Sequence, residues 1–153
     1  MAPTQSGKII LLAEDEFSIR SLVLAILQEA GYSVIVAMDG RECLEKSRQF
    51  RGTIHLLLSD VDMPNMTGIE LATQIQIDRP AMRIMLMSGM ASGMLLLNDS
   101  WQFLPKPFTS NLLEEWMRQL LLGETPSRNW TARWANKWGS PENRNTARTE
   151  FGC

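Results

Sequence analysis

The sequence predicts an α/β domain built on a doubly wound, five-stranded parallel sheet. Short apolar runs of strand length alternate along the chain with segments whose apolar residues recur at helical spacing. The first and third of these runs end directly in acidic residues. Because parallel strands need crossover connections, and those crossovers are right-handed, the alternation predicts helices on both faces of one sheet.

The first half of the chain supplies three strands and three helices. A strand is predicted over residues 8–13, where an unbroken apolar run follows Lys8, as in a strand buried on both faces. A helix is predicted over 18–30, and Gly31 is its expected C-terminal stop. The same reasoning predicts strands over 32–38 and 53–59 and helices over 41–50 and 69–77. Residues 62–68 are rich in Pro, Asn and Gly, which predicts a loop.

Two further strands and a last helix are predicted over 83–88, 101–104 and 109–122. Ser110 or Asn111 is the expected N-cap of the last helix, and Gly123 lies beyond its end. Residues 89–100 are few for a helix with two connections. A fourth helix in that segment is therefore expected to be shortened or irregular.

Length and composition predict one domain over residues 8–122, with an N-terminal extension over 1–7 and a C-terminal tail over 123–153. A chain of 153 residues with 44% hydrophobic and 21% charged residues is typical of a globular protein. No apolar run approaches the length of a membrane span, and no targeting peptide is visible, so we expect a cytoplasmic protein without a membrane role. Its two cysteines favour a reducing compartment and no disulfide.

The tail differs in composition from the rest of the chain. It lacks Leu, Ile and Val, and Trp130, Trp134 and Trp138 recur every four residues. Two interpretations stay open: a flexible end, or a short Trp-rich helix that binds a protein groove or stacks on single-stranded nucleic acid. The tail has neither the length nor the pattern of a helix-turn-helix, so no DNA-binding domain is predicted.

Polar residues lie at the carboxyl ends of the predicted strands, which is where a ligand site is expected. In an open α/β sheet, ligands bind outside the carboxyl ends of the strands. Glu14 and Asp15 follow the first strand, Asp60 follows the third, Ser88 ends the fourth and Lys106 follows the fifth. Clustered carboxylates repel one another, and oxygen ligands suit a hard cation, so we expect Mg²⁺, with Mn²⁺ also compatible.

Four segments in this order resemble the receiver family of bacterial response regulators: LLAEDE, LLLSDVDMPNMTGIEL, MLMSG and FLPKPF. The resemblance covers about residues 8–122. It implies a flavodoxin-like sheet with strand order 2-1-3-4-5. It also implies that Asp60 is the phosphoryl acceptor, and that Mg²⁺ is held by Asp15, Asp60 and the backbone carbonyl of Asp62, with Glu14 acting mainly through a bound water.

The same resemblance assigns roles to the later motifs. Lys106 would pair with the acceptor carboxylate, and the bond to Pro107 would be cis. Ser88 would bind the phosphoryl group and move the loop that follows it. Phe103 would be the switch aromatic, although a packed core aromatic is the competing interpretation of this residue.

The implied function is a phosphorylation-dependent signalling switch of a two-component system or phosphorelay. Its expected partners are a sensor histidine kinase or phosphotransfer protein and an unknown downstream protein. We expect no enzyme activity beyond self-phosphorylation and self-dephosphorylation. The alternative function is a Mg²⁺-dependent phosphohydrolase of the haloacid-dehalogenase type, because Asp60-Val61-Asp62 resembles the DxD motif of that family.

Overall fold

The computed structural model describes residues 7–89 and 100–123, and the elements within them follow the predicted alternation. They are β1 (Ile9–Ala13), α1 (Phe17–Glu29), β2 (Ser33–Ala37), α2 (Gly40–Gln49), β3 (Leu56–Asp60), α3 (Gly68–Asp78), β4 (Arg83–Ser88), β5 (Gln102–Pro105) and α4 (Ser110–Leu121). The predicted fourth helix and nearly all of the predicted tail lie outside the described residues. Among the described helices, none has both the length and the apolar composition that a membrane span requires.

The five strands form one parallel sheet in the order β2-β1-β3-β4-β5, as the resemblance implied. Leu11 of β1 pairs with Ile35 of β2 on one side and with Leu57 of β3 on the other. Asp60, the last residue of β3, is in register with Met87 of β4. The carboxyl ends of these strands therefore meet along one edge of the sheet.

Both faces of the sheet are covered, and alternate residues of each central strand belong to different cores. Ile10 and Leu12 of β1 pack with α1 and α4, whereas Leu11 and Ala13 pack with α2 and α3. All four of these side chains are fully buried. Burying each large apolar side chain contributes roughly 1.5–3 kcal/mol. Burial on both faces explains why these strands read as continuous apolar runs.

Two details of the prediction are wrong. The N-cap of α4 is Thr109, not Ser110 or Asn111, because Thr109 has extended backbone and its hydroxyl accepts a hydrogen bond from the amide of Leu112 at 3.2 Å. Strand β3 begins at Leu56 and not at residue 53. Most of the other element ends lie within one or two residues of their predicted positions.

Candidate functional site

An acidic cluster, formed by Glu14, Asp15 and Asp60, lies at the carboxyl edge of the sheet. One carboxylate oxygen from each residue lies within 4.8 Å of the other two. Glu14 is 1% exposed and Asp60 is 6% exposed, whereas Asp15 is exposed to solvent. The pairing of β1 with β3 brings these groups together although they are far apart in the sequence.

Lys106 contributes a positive charge to the acidic cluster. Its Nζ lies 3.1 Å from Oδ1 of Asp60 and 3.2 Å from Oε2 of Glu14. Its backbone amide donates to the carbonyl of Ser88 at 2.8 Å, which continues the pairing of β4 with β5. The Lys106-Pro107 peptide bond is cis, as the resemblance implied. Lys106 is thus fixed at the edge where β1 and β3 end.

Burial and neighbouring charges together set the pKa values of these groups. Burial raises the pKa of Asp60 above its usual value, although Lys106 pulls it down. Burial also raises the pKa of Glu14, and the charge of Asp60 raises it further. Burial lowers the pKa of Lys106, but the carboxylates of Asp60 and Glu14 together outweigh this effect and raise it. A single ammonium therefore faces more negative charge than it can balance.

Local contacts hold the first acidic segment in place. The amide of Glu16 donates to Oε1 of Glu14 at 3.2 Å. The guanidinium of Arg20 donates to the carbonyls of Glu14 at 2.9 Å and Asp15 at 3.2 Å, and it lies 5.6 Å from the ring centre of Phe17. Arg20 was not predicted as a site residue, because an arginine one turn into a helix has no sequence pattern that reveals where its side chain binds.

The backbone around Asp60 is equally constrained. The hydroxyl of Ser59 donates to the carbonyl of Asp60 at 2.8 Å, and the amide of Asp62 hydrogen-bonds the Asp60 carboxylate. Gly68, at the start of α3, packs directly on this segment: a Cβ atom there would overlap the carbonyl of Asp60 and lie 2.9 Å from Cα of Val61. Gly68 was predicted to end a loop, and the sequence gives no signal of this close approach.

The two predicted switch residues occupy different positions. Ser88 is 3% exposed at the end of β4, and its hydroxyl donates to the carbonyl of Gly89 at 2.6 Å. Phe103, in the middle of β5, is half-buried and packs against the core on the α2 and α3 side. Ser88 therefore lies beside the backbone of Lys106. The role of Phe103 stays a prediction.

The donor set of the acidic cluster fits a hard divalent cation. Its three carboxylates provide only oxygen ligands, and the exposed Asp15 leaves the cluster open to water. These are the properties of a Mg²⁺ or Mn²⁺ site and not of a zinc site. The participation of the Asp62 carbonyl stays a prediction.

A sequence model of the response regulator receiver domain matches residues 10–118, which include the acidic cluster and Lys106. The chain belongs to this family. Receiver domains are signalling domains and not, in general, enzymes. The haloacid-dehalogenase alternative gains no support from these matches.

Relatives of this receiver domain include signalling proteins of several kinds. It is 33% identical over 116 residues to the sensor kinase CckA of Brucella abortus, covering 73% of this chain but 12% of the kinase. It is 29% identical over 114 residues to the chemotaxis protein CheY of Thermotoga maritima, covering 71% of this chain and 93% of CheY. The structure of the response regulator TrrA from Thermotoga maritima, in complex with Mg²⁺-BeF, superposes with a TM-score of 0.66 at 31% identity, covering 74% and 98% of the two chains.

Proposed function

We propose that this receiver domain is a phosphorylation-dependent switch of a two-component system or phosphorelay, with Asp60 as the phosphoryl acceptor. One observation supports this role above all: the Asp60 carboxylate lies at a strand end, 3.1 Å from the Lys106 ammonium and close to two further carboxylates. Its partners are a sensor histidine kinase or phosphotransfer protein and a downstream protein. The names of the relatives, a sensor kinase and a chemotaxis protein, support partners of this class.

The reaction would form an acyl phosphate on the chain. A carboxylate oxygen of Asp60 attacks the phosphorus of the donor, the new O–P bond forms, and the bond from phosphorus to the donor breaks with its electron pair leaving on the donor. Asp15 and Asp60, with the Asp62 carbonyl, would hold Mg²⁺, and Glu14 would act mainly through a bound water. When bound, Mg²⁺ supplies positive charge that offsets the negative charge of the phosphoryl oxygens.

Residues of the chain then respond to the added charge. The ammonium of Lys106, already between Asp60 and Glu14, provides a fixed positive partner for a phosphoryl oxygen. The Ser88 hydroxyl would exchange its bond to the Gly89 carbonyl for one to the phosphoryl group. That exchange would move the segment after β4, and Phe103 would respond by changing its packing. This is how the phosphoryl group would alter the surface offered to a partner.

Intact-mass measurement tests the acceptor assignment. With Mg²⁺ and acetyl phosphate, we expect the wild-type chain to gain the mass of one phosphoryl group, and the gain to disappear when Mg²⁺ is chelated. Asp60→Asn should gain nothing, because an amide is not a nucleophile for this reaction. Asp78→Asn is the matched control, since Asp78 pairs with Arg48 at the end of α3 and should be phosphorylated normally. A normal mass gain in Asp60→Asn would contradict the proposal.

A further inference from the structure

A second pocket lies at the opposite edge of the sheet, where the strands begin. Its volume is about 520 Å³, within the range of about 300–1,000 Å³ that is common for small-molecule sites. Its walls come from Lys8 before β1, residues 52–55 before β3, residues 79–83 at the start of β4 and residues 120–123 at the end of α4. No part of the proposed phosphorylation site contributes to it.

The ionisable residues that line this second pocket, called the basic pocket below, are all basic. Its ionisable lining residues are Lys8, His55, Arg79 and Arg83, and the described part of the chain adds no acidic residue to its walls. The whole sequence, by contrast, has a net charge of −2, so this concentration of positive charge is local. A pocket with cationic walls and no acid in them favours an anionic occupant.

Two of these cations have no partner within the described structure. Arg79 is fully engaged: its guanidinium donates to the Ser47 hydroxyl and to three backbone carbonyls, including that of Gly52, which fixes one wall. The side chains of Lys8 and Arg83 make no ion pair or hydrogen bond with any described residue. A cation at a pocket wall that has no partner among the described residues can bind an anionic ligand.

His55 also lines the basic pocket. Its Nδ1 accepts a hydrogen bond from the amide of Ile9 at 3.0 Å, so in the neutral ring the proton is on Nε2. Burial lowers the pKa of His55, and the charge of Lys8 lowers it further, which favours this neutral form.

The remaining lining is largely apolar. It includes Pro80, Ala81, Leu121 and Leu122, and Leu122 is 61% exposed. A Cβ atom on Gly123 would lie 3.7 Å from a guanidinium nitrogen of Arg83, so the cation and the end of α4 adjoin each other. An occupant could therefore bind the cations with one end and the apolar wall with the other.

We propose that the basic pocket binds a small organic anion, in which a phosphate, phosphonate or carboxylate group is attached to a compact apolar body. The anionic group binds Lys8 and Arg83, and the apolar body packs against the leucines at the end of α4. This site is separate from the phosphoryl acceptor and does not depend on Asp60.

His55 is the only histidine in the sequence, so its ring signals in an NMR spectrum report on this pocket directly. The probe is phenylphosphonate, which has a C–P bond and cannot phosphorylate Asp60, added at constant pH in the presence of EDTA. We expect a saturable shift of the His55 signals. Methylphosphonate, which lacks the apolar body, should bind more weakly, and benzyl alcohol, which lacks the charge, should cause no saturable shift.

Variants locate the binding to the pocket. Lys8→Gln and Arg83→Gln should each raise the Kd for phenylphosphonate about tenfold, as expected for the loss of a charged hydrogen bond. Arg41→Gln, which removes an exposed cation from α2, should leave the Kd unchanged, and so should Asp60→Asn. A linear, unsaturable shift, or equal weakening by Arg41→Gln, would overturn the proposal without affecting the assignment of Asp60.

Discussion

Lys106 is the residue that makes the acidic cluster compatible with a folded protein. It forms ion pairs with both Glu14 and Asp60, and its side chain is 20% exposed, so solvent screens these pairs weakly. Within the described structure, the other nearby cation, Arg20, binds the backbone of the cluster and not its carboxylates. Removing Lys106 would leave buried negative charges without a cationic partner, which is more costly than losing a surface pair.

We therefore expect Lys106→Met to lower the free energy of unfolding by about 3 kcal/mol at neutral pH in EDTA. Urea denaturation followed by circular dichroism measures the change. The matched control is Arg48→Met: Arg48 also pairs with a carboxylate, that of Asp78, but its side chain is 55% exposed, so its loss should cost at most about 1 kcal/mol. Equal losses in the two variants would show that burial does not govern the contribution of Lys106.

At the level of elements, the start of α3 connects the helix to the proposed acceptor. Thr67 and Glu70 form a capping box, in which the Glu70 carboxylate accepts from the Thr67 amide at 2.9 Å and the Thr67 hydroxyl accepts from the Glu70 amide at 3.2 Å. The next residue, Gly68, donates its amide to the carbonyl of Val61 at 2.8 Å. Helix α3 is thereby held against the backbone that follows Asp60.

This packing predicts that Gly68→Ala will disturb both stability and phosphorylation. The added methyl group would overlap the Asp60 carbonyl, so α3 or the end of β3 must move, at a cost of roughly 1–3 kcal/mol in the free energy of unfolding. The rate of mass gain with acetyl phosphate should also fall, because the acceptor backbone shifts. Gln74→Ala is the control, since it changes an exposed residue of the same helix. Similar effects in both variants would exclude the steric explanation.

For the whole molecule, the two edges of the sheet carry opposite charge. The carboxyl edge gathers the acidic cluster and the amino edge gathers the basic pocket, although the net charge of the sequence is only −2. The acidic cluster exists only in the folded chain, because its members come from different strands. A cation that binds it must therefore stabilise the folded state relative to the unfolded state.

We expect Mg²⁺ to raise the unfolding temperature in a concentration-dependent manner. At a concentration of 100 times its Kd, the gain in unfolding free energy should be about 2.7 kcal/mol. Differential scanning calorimetry measures it, with a potassium salt at matched ionic strength as the solvent control. Asp15→Asn removes one exposed oxygen donor and should reduce the effect. An equal gain with the potassium salt would argue against a specific site.

The local sequence pattern was sufficient to predict which strands and helices form, but not which residue caps the last helix. The apolar run that includes Ile10 to Ala13 predicted a strand buried on both faces, and those residues are fully buried. Thr109, Ser110 and Asn111 are all residue types that cap helices, so composition could not distinguish them. The extended backbone at Thr109 made it the cap.

The sequence by itself determined the alternation of strands and helices, and its motifs indicated the family, because periodicity and motif spacing are properties of the chain alone. Tertiary structure alone decided that Glu14 is buried against Lys106 while its neighbour Asp15 is exposed. It also decided the contacts of Arg20 and Gly68 and created the basic pocket. The reason is physical: distances between residues on different strands depend on sheet order and register, which no local pattern specifies.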